Sequence, residues 1–282
     1  MKLIHSIPSL RRWRAEMRKR QRRVVFVPTM GALHEGHLAL VAHARRLAGP
    51  RGAVGVSVFV NPTQFDRPSD LAAYPRTLAA DAALCRRAGA DLLFAPSAKS
   101  MYPPDFSTWV EETRLALPLC GGRRPGHFRG VCTVVLKLFH LVQPDLALFG
   151  WKDAQQALVI QRMARDLDLP VRIVTAPTVR ERDGLAMSSR NRRLSSAERA
   201  RAPALYAALC FTRLAFREGV TRAARLKNAT RRRLAAVPGL RLDYLELVDG
   251  KNLRPVTRAS RGDLLAVAAF LGATRLIDNV RL

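Results

Sequence analysis

The first 177 residues alternate short, β-branched apolar runs with stretches of helical periodicity, which narrows the possible folds more than any other feature. Val24–Pro28, Val54–Val60, Asp91–Ala95, Leu146–Phe149 and Val171–Thr175 read as buried parallel strands. Between them His37–Leu47, Leu71–Arg87, Val131–Val142 and Asp153–Leu167 carry helical periodicity. Strands that alternate with helices predict an α/β fold, a Rossmann-like, doubly wound parallel sheet whose ligands sit beyond the carboxyl ends of the strands. After Pro177 the pattern changes: Ser195–Arg217 and Thr221–Ala236 read as helices, Asp243–Val248 and Leu264–Phe270 as strands of a small sheet. The expectation is a domain of residues 1–177 and a smaller α+β domain of residues 178–282, the boundary falling near 176–180.

Composition excludes several classes. No stretch reaches the roughly 18 apolar residues of a membrane helix, and the N-terminus lacks the apolar core of a signal peptide, so a cytosolic chain is expected. Cys85, Cys120, Cys132 and Cys210 include no CxxC pair; His127 lies near Cys120 and Cys132, but at no zinc-site spacing, and reduced structural thiols are expected. The net charge of +26 invites a nucleic-acid reading. Yet 41 of the 48 basic residues are arginine, scattered along the chain with small clusters such as Arg11–Arg23 and Arg231–Arg233, and no aromatic-interleaved RNA motif accompanies them. A solvated arginine-rich surface is the simpler reading, with no specific nucleic-acid partner.

Three of the expected strands are followed by the most polar segments of the chain. Pro28-Thr29-Met30-Gly31-Ala32-Leu33-His34-Glu35-Gly36-His37 leaves a strand and opens a helix. Its glycines allow close backbone approach, the helix N-terminus offers N–H groups to an anion, and two imidazoles three residues apart can donate to phosphate oxygens. Asn61-Pro62-Thr63-Gln64-Phe65 follows the second strand; its amides suit a hydroxy-acid, and Phe65 with Tyr74 suits the apolar part of one. Gly150-Trp151-Lys152-Asp153-Ala154-Gln155-Gln156 follows the fourth; Lys152 suits a phosphate, and Asp153 either caps a helix or meets a nucleotide hydroxyl. Arg124-Pro125-Gly126-His127-Phe128-Arg129-Gly130 is either a further anion-binding turn or a basic loop. Met187-Ser188-Ser189-Arg190 lies in a Gly-containing loop suited to clamp polyphosphate.

The pairing of HxGH with a distant MSSR resembles the two signatures of the nucleotidyltransferase α/β superfamily. PTMGALHEGH, FVNPTQF, YPRT, RPGHFRG, KDxQQ, DGLAMSSRN and the closing Arg275-Leu276-Ile277-Asp278-Asn279 together resemble the pantothenate synthetase family along the whole chain. The resemblance implies condensation of (R)-pantoate with β-alanine through a pantoyl-adenylate, using ATP with Mg²⁺, by a homodimer in coenzyme A biosynthesis. It implies an ATP site of Met30, Gly31, Ala32, Leu33, His34, Glu35, Gly36 and His37 with Gly150, Trp151, Lys152, Asp153, Val179, Met187, Ser188, Ser189 and Arg190. His37, His34, Lys152 and Arg190 would be catalytic, Gln64 and Gln156 would hold pantoate, and Gln64 would also contact β-alanine. Trp151 and Cys120 stand where that family usually has glutamate, and Ala154 where it has an aromatic. Two rival readings stand beside it. One is a relative transferring AMP or CMP to a phosphorylated acceptor, against which NPTQF and KDxQQ speak; the other is a nucleic-acid-binding protein on a retired nucleotidyltransferase scaffold.

Overall fold

The computed structural model describes residues 1–66 and 68–282. Its contacts divide the chain into two compact units. The first comprises Met1–Ala116, Arg124–Trp151 and Gln156–Pro177; the second comprises Leu117–Arg123, Lys152–Gln155 and Thr178–Leu282.

Unit one is built on a six-stranded, wholly parallel sheet: β1 (Lys2–Ile4), β2 (Val24–Thr29), β3 (Ala53–Val58), β4 (Leu92–Phe94), β5 (Leu146–Gly150) and β6 (Arg172–Ala176), in the order β1-β4-β3-β2-β5-β6. The chain runs outward from β2 through β3 and β4, then resumes on the other side with β5 and β6. The order therefore reverses between β2 and β5, where the register pairs Val25 with Leu146 and Phe26 with Ala147. The crossover helices are α2 (Glu35–Ala48), α3 (Leu78–Arg87), α4 (His127–Val142) and α5 (Ala154–Asp166), with α1 (Ile7–Lys19) joining β1 to β2. On one face of the sheet Val25, Val27, Val54, Val56, Leu93 and Leu148 pack with Val41 and Ala44 of α2, all buried. Burial on both faces is what the near-continuous apolar runs foretold.

The span read as one helix from Leu71 to Arg87 is two pieces, Pro68–Ala72 and α3, because Pro75 disfavours helical backbone at Tyr74. α1 is an arginine-coated helix that buries only Leu10, Trp13 and Met17, at helical spacing. Ser6 caps it, accepting from the Ser9 amide at 3.3 Å.

Unit two contains an antiparallel sheet, β7 (Leu240–Val248), β8 (Leu264–Leu271) and β9 (Thr274–Arg281), in the order β7-β8-β9. Its core joins Leu245, Leu247, Leu265 and Val267 of the sheet to Leu205 and Leu209 of α6 (Ala204–Arg217) and Leu226 and Leu234 of α7 (Ala223–Ala235). The span read as one helix from Ser195 is split: Ser196–Arg201 ends before Pro203, whose ring cannot supply an interior amide donor, and α6 starts after it. Among the described residues no helix is long and apolar enough to cross a membrane.

Candidate active site

The loop after β2 is built to hold two imidazoles. Thr29 Oγ1 donates to the Ser57 carbonyl at 2.6 Å and accepts from the Gly31 amide at 3.2 Å. Gly31 takes φ +87°, and a β-carbon there would lie 2.9 Å from Val58 and 3.0 Å from the Asp81 carboxylate. Ala32 is left-handed as well, with φ +51°. Asp81, in the first turn of α3 and 1% exposed, sustains this conformation. Its carboxylate accepts from the Ala32 amide at 3.0 Å, the Leu33 amide at 2.8 Å and the Thr77 hydroxyl at 3.1 Å. Sequence reasoning passed over Asp81; the signal was a lone carboxylate among the small and apolar residues of LAADAALC.

His34 is the N-cap of α2, and a pair of side-chain bonds closes the cap. His34 Nδ1 accepts from the Gly36 amide at 3.1 Å, and His37 Nδ1 accepts from the His34 amide at 3.4 Å. The two rings lie 4.1 Å apart, centroid to centroid. An accepting Nδ1 carries no proton, so each neutral ring holds its proton on Nε2 and donates from there. The Gly36 and His37 amides are engaged inside the cap, the latter on the His34 carbonyl at 2.8 Å. Of the two kinds of donor expected at this helix start, backbone N–H and imidazole, the Gly36 and His37 amides are thus already taken up within the cap.

Gln64 closes a short 3₁₀ turn, Pro62–Gln64, after β3. The buried Asn61 donates to Gln64 Oε1 and to the Gly130 carbonyl, both at 3.1 Å, and Gln64 Nε2 lies 2.8 Å from the Met30 sulfur. This fixes the orientation of the Gln64 amide beside the HxGH loop. The RPGHFRG segment supports the same turn: Arg124 donates to the Gln64 carbonyl at 3.0 Å and to Asp66 at 2.9 Å, and His127 Nδ1 donates to that carbonyl at 2.8 Å. A β-carbon on Gly130 would fall 2.4 Å from the Thr63 carbonyl oxygen, so only glycine permits this approach. The segment was open between an anion-binding turn and a basic loop; its contacts show a third task, bracing the Gln64 turn. Burial raises the Asp66 pKa, but the Arg124 hydrogen bond and charge outweigh it and the net shift is downward. Phe65 and Tyr74 meet edge to face with centroids 5.7 Å apart. Tyr102, whose hydroxyl lies 3.4 Å from Thr63 Oγ1, has its pKa raised by burial, against its hydrogen bonds. Gly150 ends β5, Trp151 is half-buried at the start of a 3₁₀ turn, and Gln156 is half-buried in α5.

Unit two carries the remaining predicted residues. Val179 and Met187 are joined by a backbone bond of 3.0 Å, and with the Arg180–Ala186 bridge they frame a tight hairpin. Ser188 caps the 3₁₀ helix Ser189–Arg193, accepting from the Arg190 amide at 3.3 Å. Lys152, Ser188, Arg190, Asn191, Arg275 and Asp278 are among the residues lining a small pocket of this unit. Lys152 Nζ lies 3.4 Å from the half-exposed Asp153 carboxylate. Gln155, buried, accepts from the Cys120 amide at 3.0 Å and donates to the Pro118 carbonyl at 2.6 Å, so the first glutamine of KDxQQ pins the Leu117–Arg123 segment. The structure thus gathers Met30–His37 with Gln64 in one unit, and Lys152 with Ser188 and Arg190 in the other. Among the described residues no three His, Cys, Asp or Glu side chains cluster as metal ligands.

A model of the pantoate-beta-alanine ligase family matches residues 2–281. The chain is 53% identical over 281 residues to the pantothenate synthetase 1 of Bradyrhizobium diazoefficiens, covering 99% of this chain and 98% of that one. A crystal structure of the pantothenate synthetase of Thermus thermophilus superposes with a TM-score of 0.92 at 47% identity, covering 99% of both chains. That of the pantoate-beta-alanine ligase of Francisella tularensis, complexed with beta-gamma ATP and β-alanine, gives a TM-score of 0.81 at 33% identity, covering 100% of this chain and 97% of that one. Likeness of this extent does not favour the reading as a nucleic-acid-binding protein on a retired scaffold.

Proposed function

Because the chain belongs to the pantoate-beta-alanine ligase family, we propose that it condenses (R)-pantoate with β-alanine, converting ATP to AMP and pyrophosphate. The observation that carries this reading beyond kinship is the imidazole cap of α2, which sets two Nε2–H donors at a helix N-terminus beside the fixed amide of Gln64. In the first step a pantoate carboxylate oxygen attacks the α-phosphorus of ATP in line. The bond to the β-phosphate oxygen breaks, and pyrophosphate leaves. His37 and His34 donate to the phosphoryl oxygens as charge builds there, and Lys152 and Arg190 neutralise the phosphate chain. In the second step the neutral amine of β-alanine attacks the acyl carbon; the acyl–oxygen bond to AMP breaks, and the amine proton passes to solvent or to the departing phosphate.

Gln64 and Gln156 hold pantoate by its hydroxyl and carboxylate groups, and Gln64 also meets β-alanine. Met30 through His37, Gly150 through Asp153, Val179 and Met187 through Arg190 form the nucleotide contacts. The donors here are imidazole, ammonium, guanidinium and amide, which suit phosphate. Mg²⁺ would travel with the nucleotide on phosphate oxygens and water, supplying charge neutralisation. The protein acts as a homodimer in the cytoplasm. Incubation with (R)-pantoate, β-alanine and Mg²⁺-ATP is expected to yield pantothenate, AMP and pyrophosphate in equal amounts; ADP and inorganic phosphate would exclude the adenylate route.

A further inference from the structure

The closing motif Arg275-Leu276-Ile277-Asp278-Asn279 has no task in the reaction just described, yet it touches two of its parts. It lies on β9, hydrogen-bonded along its length to the buried β8, with Asp278 opposite Val267 and Asn279 opposite Ala266. Asp278 is 4% exposed and accepts two bonds from the Arg180 guanidinium, at 2.7 and 2.9 Å. Arg180 belongs to the Val179–Met187 hairpin, donates to the Gly184 carbonyl at 3.0 Å and lies over the Tyr206 ring at 3.5 Å. That hairpin leads directly into Ser188–Arg190. Asn279, the next residue and also buried, donates from Nδ2 to the backbone carbonyl of Lys152 at 3.0 Å. Successive side chains on a strand leave on opposite faces, so one rigid strand can hold two separate segments. Lys152 and Arg190 line the same small pocket.

We propose that Asp278 and Asn279 are positioning residues, which fix the Lys152 backbone and the hairpin carrying Arg190 against one strand so that the two cations address a single phosphate chain. Lysine is a point charge on a flexible stem, and its usefulness to a developing charge depends on where its backbone is held. A strand held on a packed sheet holds it better than the loop itself would. The inference rests on the phosphate-binding roles proposed above for Lys152 and Arg190.

A double-mutant cycle tests it, because a residue that acts through another loses its effect when the other is removed. Asn279→Ala in the otherwise native chain is expected to lower kcat/KM for ATP at least tenfold, leaving KM for pantoate and β-alanine within twofold. In a Lys152→Ala background the same substitution is expected to change kcat/KM for ATP less than twofold. Should Asn279→Ala fail to fold, the near-isosteric Asn279→Asp, which replaces the donor by an acceptor, is read in the same cycle. Equal losses in both backgrounds, or no loss in the native one, overturn the positioning role. Native kcat/KM in Lys152→Ala alone removes the phosphate role of Lys152, and this inference with it.

Discussion

Asp81 gives the sharpest quantitative test of how the imidazole loop is held. Its buried carboxylate accepts from the Ala32 amide, the Leu33 amide and the Thr77 hydroxyl. Replacement by asparagine keeps size and one acceptor, so one amide bond can persist while the second oxygen becomes an NH₂ group facing an N–H. A hydrogen bond to a charged group contributes about 1.5–3 kcal/mol, and an unsatisfied buried N–H costs about 1–3 kcal/mol. Thr77 can rotate its hydroxyl, so the net loss centres on one amide, about 2 kcal/mol. At about 2–4 °C per kcal/mol for a chain of this size class, the melting temperature should fall about 5 °C. The catalytic loss should be larger than that shift suggests. The left-handed backbone at Gly31 and Ala32 is held by these bonds, and a misplacement of about 1 Å at a reacting group costs about a hundredfold in rate. Thermal melts and single-turnover adenylation on Asp81→Asn measure both quantities. A native melting temperature with a native adenylation rate would refute the anchoring argument. A large loss of stability with unchanged single-turnover chemistry in the folded fraction would reduce Asp81 to ordinary core packing.

Other substitutions probe the remaining parts. His37→Ala is expected to slow adenylation about a hundredfold, the loss of roughly 3 kcal/mol typical of one transition-state donor, with pantoate affinity little changed in equilibrium binding. Gly130→Ala, whose methyl group would press on the Thr63 carbonyl, should displace the Gln64 turn and raise KM for pantoate at least tenfold while KM for ATP stays within twofold in initial-rate assays. Burial pushes the Cys85 thiol up to about 11 and the Cys132 thiol to about 12, so neither carries appreciable thiolate at pH 8. A thiol-disulfide reagent at that pH should therefore titrate two cysteines, Cys120 and Cys210, in the native protein and all four after denaturation.

The legible parts of the fold were those written in hydrophobic period. Apolar runs such as VVFVP and VGVSV marked strands buried on both faces, and their positions hold to within one or two residues. β1 escaped because three residues at a sheet edge carry too little pattern, and α1 because its buried Leu10, Trp13 and Met17 lie under a coat of arginine. Two expected helices were each divided at a proline, Pro75 and Pro203, whose effect outweighed the surrounding periodicity. In the site, sequence offered candidate groups but not what holds them. Asp81 lies 49 and 48 residues from the Ala32 and Leu33 amides it binds, and Arg124 and His127 lie 60 and 63 residues from the Gln64 carbonyl they brace. Links of this kind depend on which strands adjoin in the sheet, and one sequence does not show that. Asn279 reaches the Lys152 carbonyl across 127 residues, a separation at which no sequence period signals the contact.

The acyl-adenylate is the centre of the account, and pyrophosphate exchange tests it directly. With (R)-pantoate and Mg²⁺-ATP present and β-alanine absent, labelled pyrophosphate should enter ATP, because the first step is complete and reversible before the amine arrives. Omitting pantoate should abolish the exchange, and His37→Ala should reduce it about a hundredfold. Exchange that requires β-alanine, or that proceeds without pantoate, would contradict a pantoyl-adenylate formed ahead of the condensation.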